Sequence, residues 1–317
     1  MTVARAIGAI ALATLAQVAA AQYPAKPVKI IVPFAAGGVS DIVARVVAQK
    51  MTEQTGKSFI VENRTGAGGR IGYEAAAKSA GDGYTLAATD TTYTMLPALY
   101  TSLPWAQDLV PVTLLAPMPF VVVVSAKAKQ ATLGRLLAQA RANPGKINYG
   151  SAGMGSVNHV VTELLQRAAK VELTHIPYKG MGDAMTGLLS GSVDVLVTAM
   201  PTAMSNVKSG RILPLAVTSA KRARALPGVP TAAEAGVADF VAANWVGFTA
   251  PKGTPQEAID WLAQHAAAAV ATPEARERLA TLGAEPAATG PEDFGRLMRA
   301  DGQRWAEVIR AAGIKPE

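Results

Sequence analysis

The chain alternates short apolar runs with amphipathic stretches, and this rhythm limits the folds that it can adopt. Val28–Val32 is a β-branched run that ends at Pro33, and the stretch that follows has its apolar residues on one helical face. The same order returns after Ile147 and again after residues 173–178. Strands that are apolar along their whole length and alternate with helices form mainly parallel sheets covered on both faces. The sequence therefore predicts an α/β fold.

Two glycine-rich segments stand where the chain passes from a strand to a helix. We call residues 34–41 the first loop and residues 151–159 the second loop. A chain of 317 residues exceeds the usual size of a single core, so two lobes are expected, with one loop on each. Parallel sheets bind ligands beyond the carboxyl ends of their strands. A cleft between the two loops is therefore the predicted site.

The N-terminal segment 1–21 has the order of a secretory signal. A lone cation, Arg5, precedes an apolar run, and the segment ends in small residues that permit cleavage after Ala21. A membrane anchor is the alternative, but the apolar run is shorter than the ~20 residues that a bilayer requires. The sequence has no cysteine, which excludes disulfides and thiolate chemistry and agrees with export without covalent cross-links. We expect a periplasmic protein.

The formal net charge of +7 is spread along the chain, and only residues 221–224 form a basic cluster. Nucleic-acid binding requires a basic stripe with aromatic side chains for stacking, and aromatic residues make up only 5% of the sequence. The charge therefore favours a small anionic solute as the ligand, with no nucleic-acid partner.

Catalytic and cofactor motifs are missing from the sequence. The closest approach to a dinucleotide-binding glycine motif has Ile71 in place of its last glycine, and no serine occupies a nucleophile-elbow motif. His159 and Glu163 are spaced to share a helix face, and an ordinary face pair is favoured over a metal site. We expect no enzyme, no cofactor and no metal. An exported hydrolase that uses Ser156 and His159 is the remaining catalytic alternative.

Each loop has the composition of an anion-binding segment. Gly37 and Gly38 let the backbone approach a ligand closely, and the helix that follows offers free N–H groups. Ser40 or Asp41 can cap that helix. For either loop alone a tight turn between strand and helix is slightly favoured, whereas the pair favours binding. In the second loop Ser151 and Ser156 add hydroxyl donors, and His159 can point toward the same opening.

Asp90 follows a strand and is flanked by threonines. It can accept hydrogen bonds from a hydroxyl or ammonium group of a ligand. It can also cap the helix that contains Met95 and Leu99, and the cap is the favoured interpretation.

Ordered motifs cover nearly the whole chain after the signal segment. They are YPAKP from residue 23, IVPFAAGG from 31, ENRTGAGG from 62, GDGYTL from 81, NYGSAGMGS from 148, HIPYKG from 175, LAVTSAKR from 215 and PGVPT from 227. In this the chain resembles the Bug receptors, the extracytoplasmic solute receptors of tripartite tricarboxylate transporters.

The resemblance implies an α/β, two-lobed periplasmic-binding-protein fold of type II, each lobe a mostly parallel sheet flanked by helices, with the ligand in the cleft. We assign residues 22–121 and 220–317 to lobe I and residues 122–219 to lobe II. It also implies a monomer that captures a small mono- or dicarboxylate, aromatic acids included, and delivers it to the membrane subunits of a transporter. Presentation to a sensor domain is the alternative, and an amino-acid ligand is less favoured.

The resemblance places the ligand carboxylate at the first loop, its far end at the second loop, and residues 89–92 along the side. Residues 199–201 read Ala-Met-Pro where relatives often carry Asp-Asn, which weakens the case for a ligand ammonium. Asp90 stands where relatives often have a small uncharged residue, so a hydroxy or amino group on the ligand stays open. Met154, Met200 and Trp245 are expected to shape the apolar part. The candidate binding residues are Phe34, Ala36, Gly37, Gly38, Ser40, Asp41, Thr89, Asp90, Thr91, Ser151, Met154, Gly155, Ser156, His159, Tyr178, Ala199, Met200 and Trp245.

Overall fold

Strands and helices alternate through most of the chain. The structure is a computed structural model that describes residues 23–129 and 131–315, so the predicted signal segment lies outside the described residues. The strands are β1 (Val28–Val32), β2 (Phe59–Asn63), β3 (Thr85–Asp90), β4 (Leu109–Ser125), β5 (Asn148–Ser151), β6 (Thr174–Pro177), β7 (Val195–Ala199), β8 (Ile212–Val217) and β9 (Ala243–Pro251). The helices are α1 (Val39–Thr55), α2 (Arg70–Ala77), α3 (Thr91–Leu99), α4 (Leu133–Ala142), α5 (Val157–Ala169), α6 (Met181–Ser190), α7 (Met200–Lys208), α8 (Gln256–Ala271), α9 (Pro273–Thr281) and α10 (Pro291–Ala312). A single 3₁₀ turn, Ala67–Gly69, precedes α2. Over the described ranges, no helix has both the length and the apolar character that a membrane span requires.

The strands form one continuous mixed sheet with the order β2-β1-β3-β9-β4-β7-β5-β6, and β8 also pairs with β4. The pairs β1–β2, β1–β3, β5–β6 and β5–β7 are parallel. All pairs that involve β4 or β9 are antiparallel. The predicted α/β class is confirmed, with a larger antiparallel share than the strand–helix rhythm indicates.

The long strand β4 runs through both halves of the sheet. Its first part, as far as Pro119, pairs with β9, and from Phe120 onward it pairs with β7 and β8. The sequence pattern alone indicates a strand only over residues 120–124, because prolines at 111, 117 and 119 interrupt the first part. Pro117 has no N–H group to donate, and it is tolerated because its backbone polar atoms point away from β9. On that outer side its carbonyl accepts a hydrogen bond from Glu285 N at 2.9 Å. The assignment of lobe I and lobe II by residue range stays a prediction.

The valines of β4 explain why the second half of the sheet is covered on both faces. Val122 and Val124 are fully buried in the core that includes α4 and α5. Val121 and Val123 are equally buried, but in a second core with α6 and α7. A strand buried on both faces has no polar alternation, so it reads as a continuous apolar run. Each of these side chains contributes roughly 1.5–3 kcal/mol of burial free energy.

Helix α10 joins the two halves of the molecule. Near its start, Phe294 packs edge-on against Trp245 of β9, with ring centroids 5.2 Å apart. Further along, the helix contacts α3, and its last turns contact α5. Trp305 and Ile309 are buried on this path. The helix therefore contacts elements of both halves of the sheet.

Candidate ligand-binding cleft

The first loop is held in place by the carboxylate of Asp41. Its two oxygens accept hydrogen bonds from the backbone N–H of Gly37, from Arg45 Nε and from Asn63 Nδ2, each at 2.9 Å. Asn63 Nδ2 also donates to the carbonyl of Phe34 at 2.9 Å, so both ends of the loop are fastened to β2. Burial acts to raise the pKa of Asp41, but these hydrogen bonds outweigh it and leave the pKa below its usual value.

The start of α1 has backbone N–H donors without protein acceptors. The helix begins after Gly38, which has no side-chain cap, so the expectation that Ser40 or Asp41 caps this helix is wrong. Both residues instead lie in the first turn of the helix, and the chain enters it through Gly37, whose φ of +80° is left-handed. The N–H groups of residues 39–41 have no acceptor among the described residues.

Asp90 is a buried junction between three elements. Its carboxylate accepts hydrogen bonds from Ser40 Oγ at 2.8 Å, from Tyr73 Oη at 2.9 Å and from Thr92 N at 3.0 Å. The last contact confirms that Asp90 caps α3. Burial raises the pKa of Asp90, and the three hydrogen bonds offset part of that effect. Because Ser40 donates to Asp90, its hydroxyl proton is already used within the protein.

Three other candidates on this side lie within the core of the sheet. Thr89 Oγ1 and Thr249 Oγ1 are hydrogen bonded at 2.6 Å, and both residues have no exposed surface. Thr91 Oγ1 accepts from the backbone N–H of Trp245 at 3.3 Å. The indole N–H of Trp245 in turn donates to Asp301. These candidates are therefore buried and hydrogen bonded within the protein, and direct ligand contact by them stays a prediction.

The second loop is also internally hydrogen bonded. Ser156 caps α5, since its Oγ accepts from the backbone N–H of His159 at 3.4 Å. Gly153 and Gly155 have left-handed φ values of +122° and +70°, which fold the backbone back toward α5. Ser151 Oγ accepts from Gly153 N at 3.1 Å and shares a hydrogen bond of 2.6 Å with His175 Nε2. The sequence did not identify this contact of His175.

Two neutral imidazoles stack beneath the second loop. The rings of His159 and His175 lie 4.0 Å apart, and Tyr149 stacks on His175 at 4.8 Å. Burial, with a smaller contribution from the neighbouring His175, lowers the pKa of His159 to about 4. His159 Nδ1 accepts from Gly155 N at 3.0 Å, so in the neutral ring Nε2 carries the proton. That nitrogen is 3.9 Å from Glu163 Oε1, which is too long for a hydrogen bond.

The remaining candidates differ in their exposure to solvent. Met154 is 37% exposed at the tip of the second loop. Tyr178 is half-buried and donates its backbone N–H to the carbonyl of Ser151 at 3.1 Å. Ala199 and Met200, at the start of α7, are buried, and Met200 packs against Gly283. Of these side chains, that of Met154 is the most available to a ligand.

Helix α3 links the two loops across the cleft. It begins at the Asp90 cap beside the first loop, and Leu99 in its last turn lies against the second loop. A methyl group built on Gly155 would be only 3.4 Å from the Leu99 side chain. The two loops therefore face the same helix from its opposite ends.

One cavity of about 390 Å³ lies behind the second loop. It is lined by Met154, His159, Glu163 and His175 and by residues 312–315 after α10. A second cavity of about 400 Å³ lies between α3 and α10. Neither is lined by the first loop. Over the described residues, no cluster of three or more His, Cys, Asp or Glu side chains is arranged to hold a metal ion.

Known proteins are similar to this chain over nearly its whole length. A family model described as "Tripartite tricarboxylate transporter family receptor" matches residues 43–314. Protein BugT of Bordetella pertussis is 38% identical over 304 residues, which are 95% of this chain and 93% of BugT. The structure of R. palustris Rpa4515 with adipate is 34% identical with a TM-score of 0.87, and the match covers 93% of this chain and 100% of that one. MatC (Rpa3494) from Rhodopseudomonas palustris with bound malate is 30% identical with a TM-score of 0.83, over 90% of this chain and 100% of that one.

Proposed function

The chain belongs to the tripartite tricarboxylate transporter receptor family, and on that premise we propose that it captures a small organic carboxylate between its lobes and delivers it to the membrane subunits of a transporter. Members of this family are solute-binding receptors of the periplasm and not enzymes. The two-lobed α/β fold and the family resemblance expected from the sequence are confirmed.

The observation that carries the proposal is the donor set at the start of α1. Three consecutive backbone N–H groups lack an acceptor there, and the helix dipole adds about half a positive charge at the same point. The carboxylates nearest to it, Asp41 and Asp90, are already hydrogen bonded within the protein. They therefore hold the donors in position, and a ligand carboxylate supplies the missing acceptors.

The second loop supplies the opposite wall of the cleft. His159 is neutral at physiological pH and carries its proton on Nε2, so it is a donor without net charge. Met154 offers exposed apolar surface beside it. A small acid with a charged end and a less polar body fits this pair of walls. Thr89, Thr91, Met200 and Trp245 support the walls from behind.

The ligands of two similar proteins support a carboxylate. Rpa4515 was solved with adipate and MatC with malate, and both share the fold of this chain at TM-scores above 0.8. Adipate and malate differ in length and in hydroxylation but share carboxylate ends. The common feature is the one that the first loop is equipped to bind.

A thermal-shift screen tests the proposal. The purified receptor is mixed with dicarboxylates, aromatic acids and amino acids at millimolar concentration, with the matching amides as uncharged controls. A ligand at about 100 times its Kd stabilises the folded state by roughly 2.7 kcal/mol, which raises Tm by several degrees. If no acid raises Tm more than its amide does, the receptor does not bind carboxylates at this cleft.

Export and oligomeric state are proposed with the function. We infer cleavage after Ala21 and a monomeric receptor. The intact mass of the protein purified from periplasm checks the first, and light scattering on a sizing column checks the second. A mass that retains the first 21 residues, or a dimeric scattering mass, contradicts the corresponding inference.

A further inference from the structure

The positive charge of the chain is concentrated in one part of the fold. Residues 122–219 contain ten Lys and Arg but only four Asp and Glu, whereas the rest of the chain after the predicted signal segment contains nineteen of each kind. The excess of positive charge after that segment therefore belongs to the half of the sheet that contains β5, β6, β7 and β8. In the sequence these cations stand singly and form no basic run.

The fold brings most of these cations to one end of that half. Strands β5, β6 and β7 are parallel, and β8 runs in the same direction because β7 and β8 are both antiparallel to β4. Their amino-terminal ends therefore share one edge with the carboxyl-terminal end of β4. We call this edge, with the turns and helix ends around it, the basic end. Its exposed cations are Lys127, Lys129, Arg141, Lys146, Arg167, Lys170 and Arg211.

Backbone contacts place these cations across the width of the sheet. The carbonyl of Arg211 accepts a hydrogen bond at 3.0 Å from the N–H group of the residue before Lys127. Arg141 donates at 2.9 Å to the carbonyl of the residue before Lys170. Lys146 stands two residues before β5. The strands from β8 to β6 are four spacings apart, so the row from Arg211 to Lys170 is roughly 19 Å long.

Few carboxylates offset this charge. Of the four in this part of the chain, only Glu172 and Asp194 lie at the basic end, and Asp194 already accepts a hydrogen bond from Asn148 N at 2.8 Å. Within the described residues, none of the ten cations has a carboxylate at ion-pair distance. At the same end of the other half, Lys26 is paired with Asp82 at 3.1 Å. The two halves therefore differ in net charge and also in how that charge is compensated.

Helix ends account for only part of the charge. Arg141 and Arg167 lie in the last turns of α4 and α5, where a cation stabilises the helix dipole. That effect falls off within the last turn, so it does not extend to Lys127, Lys146 and Arg211, which lie outside the helices. Like charges held this close repel one another, and an anionic surface outside the protein relieves that repulsion.

The basic end lacks the side chains that anchor a protein partner. Protein interfaces owe most of their affinity to a few large aromatic or apolar residues and well-packed arginines. Over the described residues 122–129 and 131–219, the only strongly exposed large apolar side chain is that of Met154, which lies at the second loop. A surface of long, flexible cations without apolar anchors fits the diffuse negative charge of lipid headgroups.

We propose that the basic end binds the anionic phospholipid surface of the membrane in which the transporter lies. The family model describes a transporter receptor, and a receptor held at that surface reaches its transporter by diffusion in two dimensions. Strand β5 runs from the basic end to the second loop, so the cleft lies at the opposite end of the strand and stays open to its ligand. The inference rests on the export proposed above, but it does not depend on which carboxylate is bound.

Sedimentation with lipid vesicles tests the proposal. Vesicles of phosphatidylcholine with about 30% phosphatidylglycerol are compared with vesicles of phosphatidylcholine alone. The wild type is expected to bind only the anionic vesicles at about 0.01 M salt. That binding is expected to fall by about tenfold or more at about 0.15 M salt, because the Debye length shortens from about 30 Å to about 8 Å.

Two triple variants with equal net charge locate the contact. One carries Lys127→Gln, Lys146→Gln and Lys170→Gln at the basic end. Each cation near an anionic bilayer contributes about 1 kcal/mol, or roughly fivefold in binding, so this variant is expected to bind roughly a hundredfold more weakly. The control carries Lys221→Gln, Arg224→Gln and Lys252→Gln, three exposed cations that lie beyond the opposite end of β8 or after β9. It is expected to bind within about threefold of the wild type at about 0.15 M salt, where distant charges are screened.

A fluorescent label reports which end touches the vesicle. The sequence has no cysteine, so a single one can be introduced at a chosen exposed position. Ser192→Cys lies at the basic end between α6 and β7, and Ser58→Cys lies before β2 at the corresponding end of the other half. Energy transfer to labelled lipid is expected to be stronger from the label at Ser192. This measurement uses the intact basic end, so it stands even if the triple variant at that end does not fold.

Three results overturn the proposal. One is a wild type that does not bind anionic vesicles at low salt, which would assign the charge to an acidic protein surface. Another is an equal loss of binding in the two triple variants, and the last is equal energy transfer from the two labels. Vesicle binding is measured without any carboxylate ligand, so a failure here is distinct from a failure of the thermal-shift screen, which concerns the cleft.

Discussion

Replacing Asp41 by asparagine tests whether the first loop is held by its carboxylate. The change keeps the size of the side chain and turns one oxygen into an NH₂ group. That group then faces either Gly37 N–H, or Arg45 and Asn63, all of which are donors. One contact becomes donor against donor if the NH₂ group faces Gly37, and two do if it faces Arg45 and Asn63; the remaining contacts lose the assistance of the charge.

The magnitude follows from these contacts. The side chain of Asp41 is only 4% exposed, so solvent replaces little of what is lost. A hydrogen bond to a charged group contributes about 1.5–3 kcal/mol. In the less costly orientation, with the NH₂ group toward Gly37, one such bond is removed and two are weakened, so the free energy of unfolding is expected to fall by about 2–4 kcal/mol. Ligand affinity is expected to fall roughly tenfold or more, because ordering a loosened loop costs about 1–2 kcal/mol per residue.

Urea denaturation of the ligand-free protein and calorimetric titration with the best acid measure the two effects. Asp183→Asn is the control, because Asp183 also lies in the first turn of a helix but is exposed and accepts no hydrogen bond from another described residue. The pKa of Asp41 is lowered in the folded state, so its contribution is present above the ordinary value of about 3.9 and is lost as the pH falls through the folded pKa. The difference in stability between wild type and variant should therefore shrink in acid. Equal stability of the Asp41 and Asp183 variants at neutral pH would refute the role given to Asp41.

Three further predictions concern the rest of the site. The pKa of His159 is lowered to about 4 in the folded protein, so between about pH 6.5 and 4 the unfolded chain binds one more proton than the folded chain. The free energy of unfolding should therefore decrease as the pH falls through that range. Urea midpoints of the wild type should show this decrease, and those of His159→Asn should show less of it. Gly69→Ala should destabilise the protein by about 1–3 kcal/mol more than Gly68→Ala. Both positions have a left-handed φ, but only at Gly69 would the new methyl group lie 3.1 Å from the rings of Phe34 and Tyr73. Equal urea midpoints for the two variants would contradict this contact. Met200→Ala should lower the free energy of unfolding by about 2–5 kcal/mol because Met200 is fully buried. Met154→Ala should lower it by less than about 0.5 kcal/mol and should mainly weaken ligand binding. Thermal melting and ligand titration of the two variants separate these effects, and the reverse pattern would contradict the placement of Met154 at the cleft.

Local sequence signals located most elements and both loops. The caps at Thr132, Ser156 and Thr272 belong to these local signals, because a capping side chain acts within three residues of itself. Asp90 as a cap was predictable for the same reason. Strand β9 escaped prediction because Ala243–Pro251 is central in the sheet and has neither alternation nor turn signals of its own.

The position of the candidate site was predictable from the sequence, but its hydrogen bonds and ring contacts were not. The first loop stands at the end of a strand, which the sequence shows directly. That Asn63 fastens this loop, that Tyr73 and Ser40 meet at Asp90, and that His175 stacks on His159 all depend on contacts between distant segments. One signal for Asn63 was available, since it too stands at the carboxyl end of a parallel strand.

The sequence by itself determined the α/β class, the family, the export signal as a prediction and the location of both loops, because each depends on periodicity or on residues close together in the chain. The tertiary structure decided which polar groups are already used. Asp41, Asp90 and Ser40 are both candidate ligand contacts and candidate caps in the sequence, and in the structure they donate to or accept from other protein groups, while the N–H groups at the start of α1 have no acceptor among the described residues. Hydrogen-bond satisfaction depends on partners that are distant in the chain, so it appears only when the chain is folded.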